Sequence, residues 1–276
     1  MRRMNRTMIT AANTMGQLQQ QLDVIGHNLS NTNTTGYKAR DASFNDMLYQ
    51  QVNNQEDKGT EKRLTPAGIR QGTGAYLDQT SLNMTQGSFQ NTDKLLDVAA
   101  SNPNVYFQVA VNDSQQPVQY TRDGSFHLSP EGPNNVKLVN GSGQDVLGEN
   151  GQAIIFSNAF KDIQIDGSGT ITVTTNKGVD QFTLGLTNVQ KPQVLEAKGE
   201  NLFAFPAGMN QPNMFTDLTG KARETAGVEQ GKLEQSNVDL SKELTDMSIA
   251  QRAYQFNSRS ISIADQMMGL VNGIRA

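Results

Sequence analysis

The stretch Met4-Asn5-Arg6-Thr7-Met8-Ile9-Thr10-Ala11-Ala12-Asn13-Thr14-Met15-Gly16-Gln17-Leu18-Gln19-Gln20-Gln21-Leu22-Asp23-Val24-Ile25-Gly26-His27-Asn28-Leu29 decides how this chain is read. Within it Met4, Met8, Ala11, Met15, Leu18, Leu22, Ile25 and Leu29 recur at alternating steps of four and three, the spacing of a heptad seam. Gln17, Gln19, Gln20, Gln21 and Asp23 fall between them, so the spacing predicts an amphipathic helix over Met4 to Leu29. At the standard rise it would be roughly 39 Å long, too long for one small neighbour to cover.

Downstream, Asn28-Leu29-Ser30-Asn31-Thr32-Asn33-Thr34-Thr35-Gly36 must end the helix. Its Asn, Ser and Thr side chains compete for backbone groups, and Gly36 permits a positive φ. Tyr37 to Tyr49 reads as extended or irregular. Gln50 to Gly74, polar with scattered Gly and Pro66, reads as a long arm or exposed loop.

From about Leu77 to Phe205 the period changes to two. Val105, Phe107, Val109 and Val111 alternate with Tyr106, Gln108 and Ala110, as in a strand. Ile163 and Ile165 lead into Asp166-Gly167-Ser168-Gly169, and Ile171 and Val173 lead out, which predicts a hairpin. Val136 and Leu138 before Asn140-Gly141, and Phe182, Leu184 and Leu186, repeat the theme. After Gly227 helical spacing returns. Ser236-Asn237-Val238-Asp239 fits a capping box, and two apolar rows follow it. One holds Leu240, Leu244, Met247, Tyr254, Ile261 and Met268; the other holds Ile249, Ala253, Phe256, Ile263, Met267, Leu270 and Ile274.

The expected fold class is therefore α+β: N- and C-terminal helices forming a coiled-coil-like pair, with a central all-β domain built from hairpins. The expected divisions are 1–76 (helix, turn motif and arm), 77–226 (β domain) and 227–276 (C-terminal helix). One helix pair cannot bury both apolar rows of the last helix, so one row suits the N-terminal helix and the other a neighbouring subunit. Periodicity alone leaves an ordinary helical pair in a monomer equally open.

Bulk composition narrows the function. A net charge of -4 with no block of Lys or Arg gives no footing for a polyanion, so nucleic acid is not an expected partner. The absence of cysteine removes disulfides, thiol catalysis and thiolate metal sites. His27 and His127 are the only histidines, which leaves no basis for a multi-histidine metal site or a Ser-His-Asp triad. Gly141-Ser142-Gly143 and Gly72-Thr73-Gly74 lack the third glycine of a dinucleotide loop. No cofactor is expected, and no catalysis. No apolar core of ~7–15 residues follows the basic start Met1-Arg2-Arg3-Met4-Asn5-Arg6, as a cleaved signal would need, and no run of ~18 apolar residues predicts membrane insertion. Composition alone would place the chain in the cytosol.

Motifs overrule that placement. Asp23-Val24-Ile25-Gly26-His27-Asn28-Leu29-Ser30-Asn31-Thr32-Asn33-Thr34-Thr35-Gly36-Tyr37-Lys38 closely resembles the N-terminal signature of the flagellar basal-body rod and hook protein family. Gly231-Lys232-Leu233-Glu234-Gln235-Ser236-Asn237-Val238-Asp239-Leu240, with Ala250-Gln251-Arg252-Ala253-Tyr254-Gln255-Phe256-Asn257-Ser258, resembles its C-terminal signature. Tyr120-Thr121-Arg122-Asp123-Gly124-Ser125-Phe126 and Leu96-Asp97-Val98-Ala99 are similar to its β-domain motifs. The approach Ala100-Ser101-Asn102-Pro103-Asn104 departs from the family's Gly-rich form.

The resemblance implies a structural subunit of the rod and hook axis, required for flagellum assembly and motility. Its terminal helices would lie in the inner tube wall and its β domain outside. The short central region suits a rod-type subunit, resembling the distal and proximal rod proteins. Implied partners are further copies of the chain, other rod and hook subunits, and the flagellar type III export apparatus, which would carry the chain to the basal body without a cleaved signal peptide. The assembly interface implied by motifs and seams comprises Met8, Met15, Leu18, Leu22, Ile25, Asn28, Leu29, Asn31, Gly36, Tyr37, Lys38, Ser236, Asn237, Val238, Leu240, Leu244, Met247, Gln251, Arg252, Tyr254, Asn257, Ile261 and Met268. Two other function classes remain: an adhesion or cell-wall-binding β module on a helical stalk, and a wall-degrading enzyme with paired carboxylates. The enzyme is disfavoured because the chain has no tryptophan for sugar stacking and no paired-acid motif.

Overall fold

The computed structural model describes residues 2–46, 50–52, 69–71, 75–111, 116–176, 178–199, 201–206 and 214–275. Helix α1 spans Arg2–Ser30 and helix α2 spans Leu240–Arg275; the described residues between them form short strands and two 3₁₀ turns. The class is α+β, as the periodicities predict. Most of the expected arm falls outside the described residues, as do the side chains of Met4 and Ile274. At the arm's two ends, Gln50–Val52 pairs antiparallel with Ile69–Gln71.

Two compact units are present. One comprises residues 1–29, 40–81 and 239–276; the other comprises residues 30–39 and 82–238. In the first unit the terminal helices pack together, and Asn28 on α1 donates from Nδ2 to Glu243 Oε1 on α2 at 3.0 Å. The same Asn28 ties down the strand Arg40–Asp46: its Nδ2 donates to Arg40 O and its Oδ1 accepts from Arg40 N, both at 2.9 Å. One buried amide thus holds a strand start and a helix.

The second unit is mainly antiparallel sheet. Its central strands are hydrogen-bonded in the order Ile155–Ser157, Asn135–Val139, Asp145–Val146, Val105–Ala110, Val118–Thr121, Leu202–Ala204 and Glu196–Gly199. The strand Val105–Ala110 lies between two cores. Val105, Phe107 and Val109 enter the larger core with Leu138, Val146, Ile171, Leu184 and Leu186. Tyr106, on the other face, packs with Tyr120, Val189, Leu195 and Phe203. The alternation of this strand therefore separates one apolar core from another, not core from solvent.

Both predicted hairpin turns form. Ile165 pairs with Ile171 and Ile163 with Val173. Asp166 Oδ1 accepts from Ser168 N at 3.0 Å and Thr170 N at 2.9 Å, closing the turn on one carboxylate. At Asn140, Oδ1 accepts from Ser142 N and Gln144 N in the same manner.

The cap of α2 differs from the predicted one. The helix begins at Leu240, and Asp239 Oδ1 accepts from Ser241 N at 2.9 Å and Lys242 N at 3.2 Å. Ser236 Oγ accepts only from Val238 N, at 3.3 Å. The reason lies at Asn237. Its Oδ1 accepts from Ala39 N at 2.7 Å, and its Nδ2 donates to Asn83 O and Thr85 O, which fixes residues 236–238 outside the helix. Asp239 is the first residue left to cap.

Candidate assembly interface

The turn after α1 is anchored in the β unit. Gly36 has φ +67° and donates from its N–H to Glu234 O at 2.8 Å. Thr35 Oγ1 donates to Asp123 Oδ1 at 2.8 Å, and Asn201 Nδ2 donates to Thr35 O at 2.9 Å. Tyr37 and Lys38, which follow, are buried. Asn31 is half-buried.

Lys38 leads to a buried ionic cluster. Its Nζ donates to Glu234 Oε1 at 2.7 Å and to Thr85 O at 2.8 Å. Glu234 Oε1 also accepts from Gly87 N at 3.0 Å, while its Oε2 accepts from Arg122 Nε at 2.8 Å and from Arg122 Nη2. The remaining guanidinium protons go to the carbonyls of Ala100, Asn102 and Val105. All five donors of the Arg122 fork are satisfied. The three side chains are essentially removed from solvent, and Arg122 lies over the Tyr106 ring at 5.6 Å.

Charge states follow from these surroundings. Burial alone would raise the Glu234 carboxyl, but Arg122 and Lys38 outweigh it and hold the group below its ordinary value. Burial lowers the Lys38 ammonium, against the pull of Glu234. Burial pushes the Tyr106 hydroxyl up to about 12. A carboxyl depressed in the folded state adds stability above its unfolded value, and that stability is lost as the pH falls through the folded value. The resistance of the β unit to urea is therefore expected to decline as the pH drops below 4.5, the ordinary value for Glu234. Near-UV dichroism along a pH series of urea melts measures this, and Glu234→Gln should flatten the dependence.

The helices present two different faces. On α1, Ile25 and Asn28 are buried, and Met8, Met15, Leu18, Leu22 and Leu29 are half-buried. On α2, Met247, Tyr254, Asn257, Ile261 and Met268 are half-buried, and the interleaved Ala250 and Ala264 are buried. Together they make one heptad row. The other row is open: Ile249, Phe256, Ile263 and Leu270, seven residues apart, are 60%, 66%, 56% and 68% exposed. Met267 beside them is 45% exposed. Leu240 and Leu244, at the helix start, and Gln251 and Arg252 are exposed, while Ser236, Asn237 and Val238 are half-buried.

The implied interface residues therefore form separate groups. Gly36, Tyr37 and Lys38 are engaged within their own unit, as is Asn28 within the other, and the seams of α1 and α2 are partly covered; the open row Ile249, Phe256, Ile263 and Leu270 lies outside the implied set. Sequence reasoning placed Arg122 and Glu234 inside motifs but assigned them no role. No local signal set them apart: Arg122 stands between Thr121 and Asp123, and Glu234 between Leu233 and Gln235.

Comparison with known proteins covers the same segments. A family described as "Flagella basal body rod protein" matches residues 8–38, "Flagellar hook protein FlgE/F/G D1 domain" matches residues 102–173, and "Flagellar basal body rod FlgEFG protein C-terminal" matches residues 229–274. The chain is 43% identical to the flagellar hook-basal body complex protein FlhP of Bacillus subtilis, over 99% of the chain and 100% of that protein. It is 35% identical to the flagellar basal-body rod protein FlgG of Borreliella burgdorferi, over 99% of each, and 30% identical to FlgG of Bacillus subtilis, over 96% of the chain and 97% of the relative.

Proposed function

The chain belongs to the flagellar basal-body rod and hook protein family, and on that footing we propose that it is a structural subunit of the flagellar basal-body rod, polymerising through its terminal helices. The carrying observation is the open row of α2. Ile249, Phe256, Ile263 and Leu270 make a continuous apolar stripe along a helix whose other apolar row is already partly covered. An exposed stripe of that kind marks an interaction surface. In the assembled rod it is covered by neighbouring subunits, with Arg252 at its margin and Leu240, Leu244 and Gln251, exposed elsewhere on the helix, adding further contacts. Asn28, Gly36, Tyr37, Lys38 and Asn237 serve the interface indirectly, by fixing the segments that lead out of α1 and into α2.

The role is architectural and not catalytic. Partners are further copies of the chain, other rod and hook subunits, and the flagellar type III export apparatus, which carries the chain to the basal body without cleaving a signal peptide. The adhesion reading has no support in the matches, which run over nearly the whole chain and name flagellar axial proteins.

The test is motility and basal-body isolation in a strain lacking the chain, complemented either by the full-length protein or by a version ending before Ser236. Restoration of attached hooks and swimming by the full-length form alone supports the reading. Normal swimming and complete basal bodies in the uncomplemented strain would overturn it.

A further inference from the structure

The cluster Lys38–Arg122–Glu234 joins parts of the chain that are far apart in sequence. Glu234 lies 196 residues from Lys38 and 112 from Arg122. It arrives on the strand Lys232–Glu234, which pairs with Phe89–Asn91, just after Val228–Gln230 pairs with Val98–Ala100. These two short strands bring residues 228–234 into the sheet of the β unit.

Both cations would be buried at this place with or without Glu234. Arg122 is fixed by the carbonyls of Ala100, Asn102 and Val105, and Lys38 by that of Thr85. Glu234 is the only acidic side chain bonded to either of them among the described residues. With it the cluster holds two positive charges against one negative; without it, two like charges remain buried and uncompensated. Neutral partners cannot offset the lost solvation of a buried charge.

We propose that Glu234 is a charge latch: its carboxylate holds the strand Lys232–Glu234 within the β unit by offsetting the buried charge of Lys38 and Arg122, and the unit stays closed only while that carboxylate is in place. The latch differs from an apolar plug in one measurable way. Removing the carboxylate leaves repelling cations behind, so removing a cation as well should relieve the defect.

The full-length chain tests this. Glu234→Gln preserves the size of the side chain and should lower the folded-to-unfolded ratio by about 100-fold or more, read from urea unfolding by near-UV dichroism. Adding Lys38→Met to Glu234→Gln should recover about tenfold of that loss. If Glu234→Gln alone is too unstable to show a folded baseline, the double variant should regain a cooperative transition. A loss below about threefold for the single variant would overturn the latch. So would a double variant that is less stable than the single, or one that remains unfolded beside it.

Discussion

A full-length chain carrying Phe256→Asp together with Ile263→Asp is expected to fold as the parent does and to fail completely in restoring attached hooks and swimming. Both side chains are more than half exposed in the subunit, so the exchange removes little intramolecular packing. In an assembly the balance reverses. Covering a large apolar side chain contributes about 1.5–3 kcal/mol, and the two substitutions forfeit that at positions about two turns apart on one stripe. They also bring two carboxylates into a contact that offers them no identified partner, which costs more than the lost burial. Complementation in the deletion strain gives the functional readout, and far-UV dichroism of the purified variant reports the fold. A variant that folds and swims would remove the stripe from the interface.

Gly124→Ala is expected to destabilise the β unit by about 4 kcal/mol, a large effect for one methyl group. A Cβ built at Gly124 would lie 1.8 Å from the carbonyl oxygen of Val98, and Val98 N donates to Gly124 O at 3.1 Å in the same contact. The obstruction is backbone, which cannot swing aside as a side chain can. The strand Val98–Ala100 would have to move, taking with it the Ala100 carbonyl bonded to Arg122 and the pairing with Val228–Gln230. Gly16→Ala is the contrasting control. A Cβ there meets nothing within 4 Å, and the exchange in a helix interior should gain about 0.5–1 kcal/mol. Urea midpoints of the two variants measure the contrast.

Alongside these sits the milder acid sensitivity of the Glu234 cluster, which depends on a group held in its charged form by neighbours and not on a steric contact. The three effects separate the roles of assembly, backbone approach and buried charge. The last two are linked, since moving Ala100 also moves a carbonyl bonded to Arg122.

Local rules carried the sequence reading a long way. Heptad spacing marked both helices, because burial on one face repeats with the helical turn. Alternation marked Val105 to Ala110 and the strands around Asp166, since successive side chains in a strand point to opposite faces. Gly36 could be read as a turn residue, and it carries a positive φ. The motifs around Asn28, Arg122 and Asn237 were enough to identify the family resemblance.

What the sequence by itself determined is therefore what depends on neighbours a few residues away: the two helices, the hairpin turns, the α+β class and the motif segments. Tertiary structure decided which apolar row of α2 is partly covered and which is open, because both rows have helical spacing and only packing distinguishes them. It moved the cap from Ser236 to Asp239, through bonds from Asn237 to Ala39, Asn83 and Thr85. It also made Lys38, Arg122 and Glu234 one buried cluster. No local pattern encodes that meeting, since the energy of a buried charge depends on where the rest of the chain places its partner.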